Sequence, residues 1–141
     1  MKKLFISLFF FFAAVCSVWA SSEELEKALN LLNAGKPDEA MNIVSEKLKT
    51  ETDSADNYMA MGLIQLEKGN YASAKENFQQ ALRLNRKIVA AHYMLAMIYE
   101  KEDNIEQAVD KWQKIVKYSK DDTLKSLAKK HIKQLKGELS D

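Results

Sequence analysis

The chain has 141 residues, 47% hydrophobic and 29% charged, with a formal net charge of +1; this is the composition of one small folded domain and excludes a disordered tail. One proline and four glycines favour helices joined by tight turns over a strand-and-turn architecture. Glu23 to Asp56 carries nine acidic and four basic residues, whereas Lys111 to Lys136 carries nine lysines and two aspartates, so there is no broad basic surface and nucleic acid is not an expected partner.

Residues 1–20 read as an address. Met1-Lys2-Lys3 is a positive start, Leu4 to Val15 is an almost unbroken apolar run, and Val18-Trp19-Ala20 precedes Ser21-Ser22-Glu23-Glu24. This is the three-part pattern of a secretory signal peptide, with cleavage expected after Ala20. The apolar run is short for a membrane span, which takes about 20 residues. Two other readings stay open: an uncleaved N-terminal anchor, and lipid attachment at Cys16, for which Ala13-Ala14-Val15 is a poor processing match. Cys16 is the only cysteine, so cleavage leaves a chain without disulfides, thiol catalysis or cysteine metal ligands. The expected location is exported, in the periplasm of a bacterium.

The rest of the chain repeats every 34 residues. Ala28, Gly62 and Ala96 share one register; so do Ala40, Ala74 and Ala108, then Val44, Phe78 and Trp112, then Leu48, Leu82 and Val116. The turns Gly35-Lys36-Pro37, Gly69-Asn70-Tyr71 and Asp103-Asn104-Ile105 align as well. Three units result, over 21–54 (the most degenerate), 55–88 and 89–122, with a capping helix and tail over 123–141. In chain order the pattern predicts helices over 23–34, 38–51, 55–68, 71–84, 87–101, 105–118 and 122–138. The small residue of each helix lets paired backbones approach, and the large residue four places after the second one fills the space between hairpins. A hairpin alone leaves an apolar face bare, so three must stack. In the last helix Leu124, Leu127, Ala128, His131, Leu135 and Leu139 recur at helical spacing, with lysines on the other side and Asp121-Asp122 at its start.

This spacing resembles the tetratricopeptide repeat, with its W-x₂-L-G-x₂-Y…A-x₃-F…P pattern. The second unit reads Tyr58-x₂-Met61-Gly62-x₂-Gln65 and Ala74-x₃-Phe78; the third reads His92-x₂-Leu95-Ala96-x₂-Tyr99 and Ala108-x₃-Trp112. The first is weaker, Glu24-x₂-Lys27-Ala28-x₂-Leu31 and Ala40-x₃-Val44, and the closing proline is replaced by Thr52, Arg86 and Lys120. The resemblance implies an all-α, right-handed stack of three antiparallel hairpins with a C-terminal capping helix, and partner peptides lying along the concave face made by the first helix of each unit.

Carried across residue by residue, the family's inner-facing places hold Leu25, Leu29, Leu32 and Asn33, then Asp56, Met59, Leu63, Leu66 and Glu67, then Ala90, Tyr93, Met97, Glu100 and Lys101, with Leu127 and His131 at the far end. Family members that clamp acidic C-termini use Lys, Arg and Asn there, so a carboxylate clamp is not expected. Leu25, Leu29, Leu32, Met59, Leu63, Leu66, Tyr93 and Met97 are instead expected to meet water as an apolar strip, and such strips mark interaction sites. The expectation is a groove for an apolar or helical segment of a protein partner. Packing along the stack, or a second copy of the chain in a homo-oligomer, are the competing readings, as is a small hydrophobic ligand. Membrane contact stays open through the lysines of the last helix or an uncleaved leader.

No chemistry is expected. His92 reads as a packing residue, and His131 has no carboxylate at a telling spacing. There is no phosphate loop, no Gly-x-Ser-x-Gly elbow and no metal-ligand motif, so no cofactor, metal or enzymatic activity is assigned.

Overall fold

A computed structural model describes residues 23–137. The expected leader, its cleavage site at Ala20 and residues 138–141 lie outside the described residues. The chain forms α1 (Glu23–Asn33), α2 (Pro37–Thr50), α3 (Ala55–Glu67), α4 (Tyr71–Leu84), α5 (Val89–Lys101), α6 (Ile105–Tyr118) and α7 (Asp122–Leu135). Among the described residues there is no strand, and no helix is long and apolar enough to cross a membrane. α1, α3 and α5 each pack on the helix that follows, neighbouring hairpins pack through α2 on α3 and α4 on α5, and α7 lies against α6. The result is a stack of three helical hairpins with a capping helix.

The turns carry the repeat in their backbone. Gly35, Gly69, Asp103 and Gly137, each 34 residues from the next, all take positive φ, from +54° to +77°. In the hairpin turns the amide there returns to the carbonyl three residues back, and the next amide reaches one residue further: Gly35 to Leu32 and Lys36 to Leu31, Gly69 to Leu66 and Asn70 to Gln65, Asp103 to Glu100 and Asn104 to Tyr99. This C-terminal cap satisfies carbonyls that the helix leaves open. Asp103 holds the left-handed place without being glycine, which a short polar side chain tolerates.

Three of the starts are capped by side chains. Ser54 Oγ accepts the Asn57 amide and Asn104 Oδ1 the Gln107 amide; Asp121 accepts those of Thr123 and Leu124. Pro37 stands in the first turn of α2, where no amide is needed. Two helices are shorter by two residues or more than the periodicity predicts. α5 starts at Val89, because the Lys87 amide donates to Asn85 Oδ1 at 3.1 Å and holds residues 85–87 as a turn. α7 stops at Leu135 because Gly137 turns left-handed.

The repeat positions form the core. Ala28, Ala96, Ala40, Ala74, Ala108, Val44, Phe78 and Trp112 are all fully buried. Apolar side chains from α1 to α6 make one cluster, and Ala96, Trp112, Ile115 and Ala128 make a second beneath α7. Polar bridges tie the layers. The Lys47 ammonium on α2 donates to Glu24 on α1 and to Glu51, both at 3.1 Å, and Glu51 accepts from Asn57 of α3. Between the second and third units Lys75 pairs with Glu102 at 2.7 Å and Lys101 donates to the Tyr71 hydroxyl at 2.8 Å.

Candidate functional site

The inner face is carried by α1, α3 and α5. Their side chains at each third and fourth place project to the same side, and the structure divides the eight predicted contact residues into two groups. Leu25, Leu32, Met59 and Leu63 are buried, with 2%, 7%, 2% and 8% of their surface exposed, and belong to the main core cluster. The expectation that they meet water is therefore corrected. α1 packs directly against α3 as well as on its own hairpin partner, so apolar places on these helices are covered within the fold. Leu29, Leu66, Tyr93 and Met97 are half-buried. These four form the accessible apolar row.

At the far end of that row the chain builds a cluster. Counted on the 34-residue period, His131 takes the place of Leu29, Leu63 and Met97, so α7 behaves as a fourth first-helix without its partner. The His131 ring stacks on Trp112, with centroids 4.3 Å apart and planes at 20°, and Tyr93 meets the same indole edge-on at 5.5 Å. The Trp112 indole N–H donates to Glu100 Oε1, and His131 Nδ1 lies 2.9 Å from that same oxygen. Burial alone pushes the Glu100 carboxyl up; the hydrogen bonds from His131 and Trp112 outweigh it and hold the group below the usual carboxylate range. Sequence reasoning placed Glu100 and His131 on the inner face and missed their meeting. The signal was available, since residues 31 apart in a 34-residue repeat lie three places out of register, on facing helices. Leu127, the other residue extrapolated to this end, is exposed.

His92 is buried as predicted for a packing residue, stacked on Tyr118 at 5.8 Å. Its Nε2 lies 2.9 Å from the Arg86 carbonyl oxygen, and its Nδ1 has no partner. Burial lowers its pKa, with Lys111 and Lys114 acting the same way; the Arg86 carbonyl and Asp110 oppose them and lose.

These two groups set an acid-stability prediction. A depressed histidine contributes stability above its unfolded pKa, 6.5, and loses it as pH falls toward the folded value. A depressed carboxylate does the same below its ordinary 4.5. Urea unfolding measured at stepped pH should therefore weaken in two stages, one starting near 6.5 and one below 4.5. His92→Gln should flatten the first stage, and Glu100→Gln should make the second shallower, with Asp110 and Glu51 sharing that window. A variant curve parallel to the wild type in its own window would refute that assignment.

The comparisons with known proteins agree with the fold. Residues 59–122 match the family model described as tetratricopeptide repeat. The TPR repeat-containing protein MJ1428 of Methanocaldococcus jannaschii is 36% identical over 106 residues, covering 68% of this chain and 18% of the relative. The chain thus spans less than a quarter of the length of the curated relatives it matches. Among solved structures, the Yersinia enterocolitica type III secretion chaperone SycD with a peptide of the translocator YopD superposes with a TM-score of 0.74 at 12% identity, covering 82% of this chain and 92% of that one. The first tetratricopeptide domain of Spaghetti, bound to an HSP90 peptide, gives 0.70 at 16% identity, over 80% of this chain and 93% of that one. At such identities the likeness is one of fold, and that fold is the tetratricopeptide-like hairpin stack.

Proposed function

We propose that this chain is an exported, non-catalytic adaptor that holds an apolar or helical segment of a partner protein along the inner faces of α1, α3 and α5. One observation carries the reading: Leu29, Leu66, Tyr93 and Met97 form a half-buried apolar row on that face, within a fold whose solved neighbours include peptide complexes. Half-buried apolar side chains keep surface to give up on binding, which buried ones do not. Flexible Met97 suits a segment of imperfect shape. The signal-peptide pattern of residues 1–20 supports the bacterial periplasm as the compartment.

The test replaces Leu29, Leu66 and Met97 together by serine. Because none of the three is fully buried, helix content by circular dichroism should stay near the wild type. A photoreactive residue at Tyr93 should cross-link one dominant foreign protein in intact cells, and the triple substitution should abolish that adduct. Adducts only between copies of this chain would instead favour self-assembly through the same face. An unchanged foreign adduct in the triple variant would remove the row from the binding site.

A further inference from the structure

We propose that Glu100 makes the inner face selective for an apolar segment that also carries a basic side chain, with the cation seated on the free oxygen of the Glu100 carboxylate. The inference rests on the reading that a partner lies along this face, and goes further by naming the chemistry it must carry. Glu100 Oε1 takes both bonds of the cluster, from Trp112 and from His131. Its Oε2 has no partner among the described residues. The side chain is 23% exposed, so that oxygen is neither sealed in the core nor standing in open water.

Its surroundings favour a cation on an apolar carrier. Tyr93, Met97 and Glu100 stand at i, i+4 and i+7 of α5 and so share one face. Tyr93 and Met97 pack in the same cluster as Trp112. A segment resting on Tyr93 and Met97 would thus bring a lysine or arginine about one helical turn further on within reach of Glu100. The carboxylate is already fixed by two donors, so little side-chain freedom is lost when a cation arrives. Partial exclusion of water makes the attraction stronger than at an open surface. The charges along the face point the same way. Its inner places hold Glu67 and Glu100 against Lys101, and the Lys101 ammonium is engaged by Tyr71, donating to its hydroxyl and lying 4.3 Å from its ring centroid. An acidic segment would meet repulsion here, which is the reverse of a carboxylate clamp.

The probes are two synthetic amphipathic helical peptides with the same leucine and alanine face and a serine and glutamine polar face. One has a single lysine at the boundary of the two faces, and its twin has norleucine there. Each is titrated calorimetrically into the full chain and into Glu100→Gln, which keeps an acceptor for Trp112 and His131 while removing the charge. The lysine peptide should bind the wild type about tenfold more tightly than its twin. That advantage should vanish in Glu100→Gln, with the norleucine peptide binding both proteins alike. Raising the ionic strength should shrink the advantage on the wild type too, a readout independent of any variant. Equal binding of the two peptides to the wild type overturns the role of Glu100 and leaves the apolar groove standing. An advantage that persists in Glu100→Gln overturns it as well, by placing the cation elsewhere. If neither peptide binds the wild type, the groove reading and this inference fall together.

Discussion

Trp112→Ala is expected to lower the unfolding free energy by about 3–5 kcal/mol and to loosen the capping helix before the rest of the stack. The indole is fully buried, and three groups depend on it: the Tyr93 edge, the His131 ring stacked on its face, and Glu100, which accepts its N–H. Truncation leaves a cavity between α5, α6 and α7 and takes one of two donors from Glu100 Oε1. Only Ala128 is fully covered on α7, with Leu124, Ile132 and Leu135 half-buried around the same cluster, so that helix is held through the Trp112 cluster and its amides should exchange fastest in the variant. Phe78→Ala is the matching control. It empties an equally buried place in the larger cluster and should cost a similar amount, while α7 amides stay protected relative to the remainder. Urea unfolding followed by hydrogen exchange separates the two. A Trp112→Ala loss below about 1 kcal/mol, under the usual range for such truncations, would mean that the α7 cluster contributes little.

The parts of the fold that could be read in the chain are those where one residue type answers one geometric need. A small residue is required where paired helices touch and a large one where hairpins meet, so Ala28, Gly62, Ala96, Val44, Phe78 and Trp112 announce both the period and the hairpins. The turn residues Gly35, Gly69 and Asp103 announce it again, whereas the periodicity runs the last helix to 138, past the left-handed turn at Gly137. Exposure was harder to read. The family's inner places are named from repeats that line an open groove, yet Leu25, Leu32, Met59 and Leu63 are buried. Periodicity gives the face of a helix and says nothing of how deep that face lies; direct packing of α1 on α3 is a tertiary fact with no mark in either helix alone. The Glu100, Trp112 and His131 cluster escaped for a related reason. Its members come from three helices, and their contact follows only if α7 is placed in the stack as a fourth first-helix.

Gly62→Ala tests the closeness of the helix pair at the centre of the stack, and two effects of opposite sign meet there. Alanine favours a helix interior over glycine by roughly 1 kcal/mol, so at an open position the change would stabilise. Here the added Cβ would lie 2.6 Å from Phe78 Cε1 and 2.7 Å from Cδ1, inside any normal carbon contact. Phe78 is fully buried, so its ring can yield only by shifting against packed neighbours. Overpacking of this kind costs about 1–3 kcal/mol, so it exceeds the propensity gain and the variant should be less stable in urea. The other units carry alanine in this place, with Val44 in the register of Phe78 in the first and, in the third, Trp112, whose indole is turned toward Glu100 and His131; the fit is set unit by unit. A double-mutant cycle makes the cause visible. Phe78→Leu alone should destabilise by leaving space, yet in the Gly62→Ala background it should cost markedly less, because the smaller side chain makes room for the new methyl. Additive losses would show that the strain does not run through Phe78, and a stabilised Gly62→Ala would show that α3 and α4 are not held as close as their packing describes.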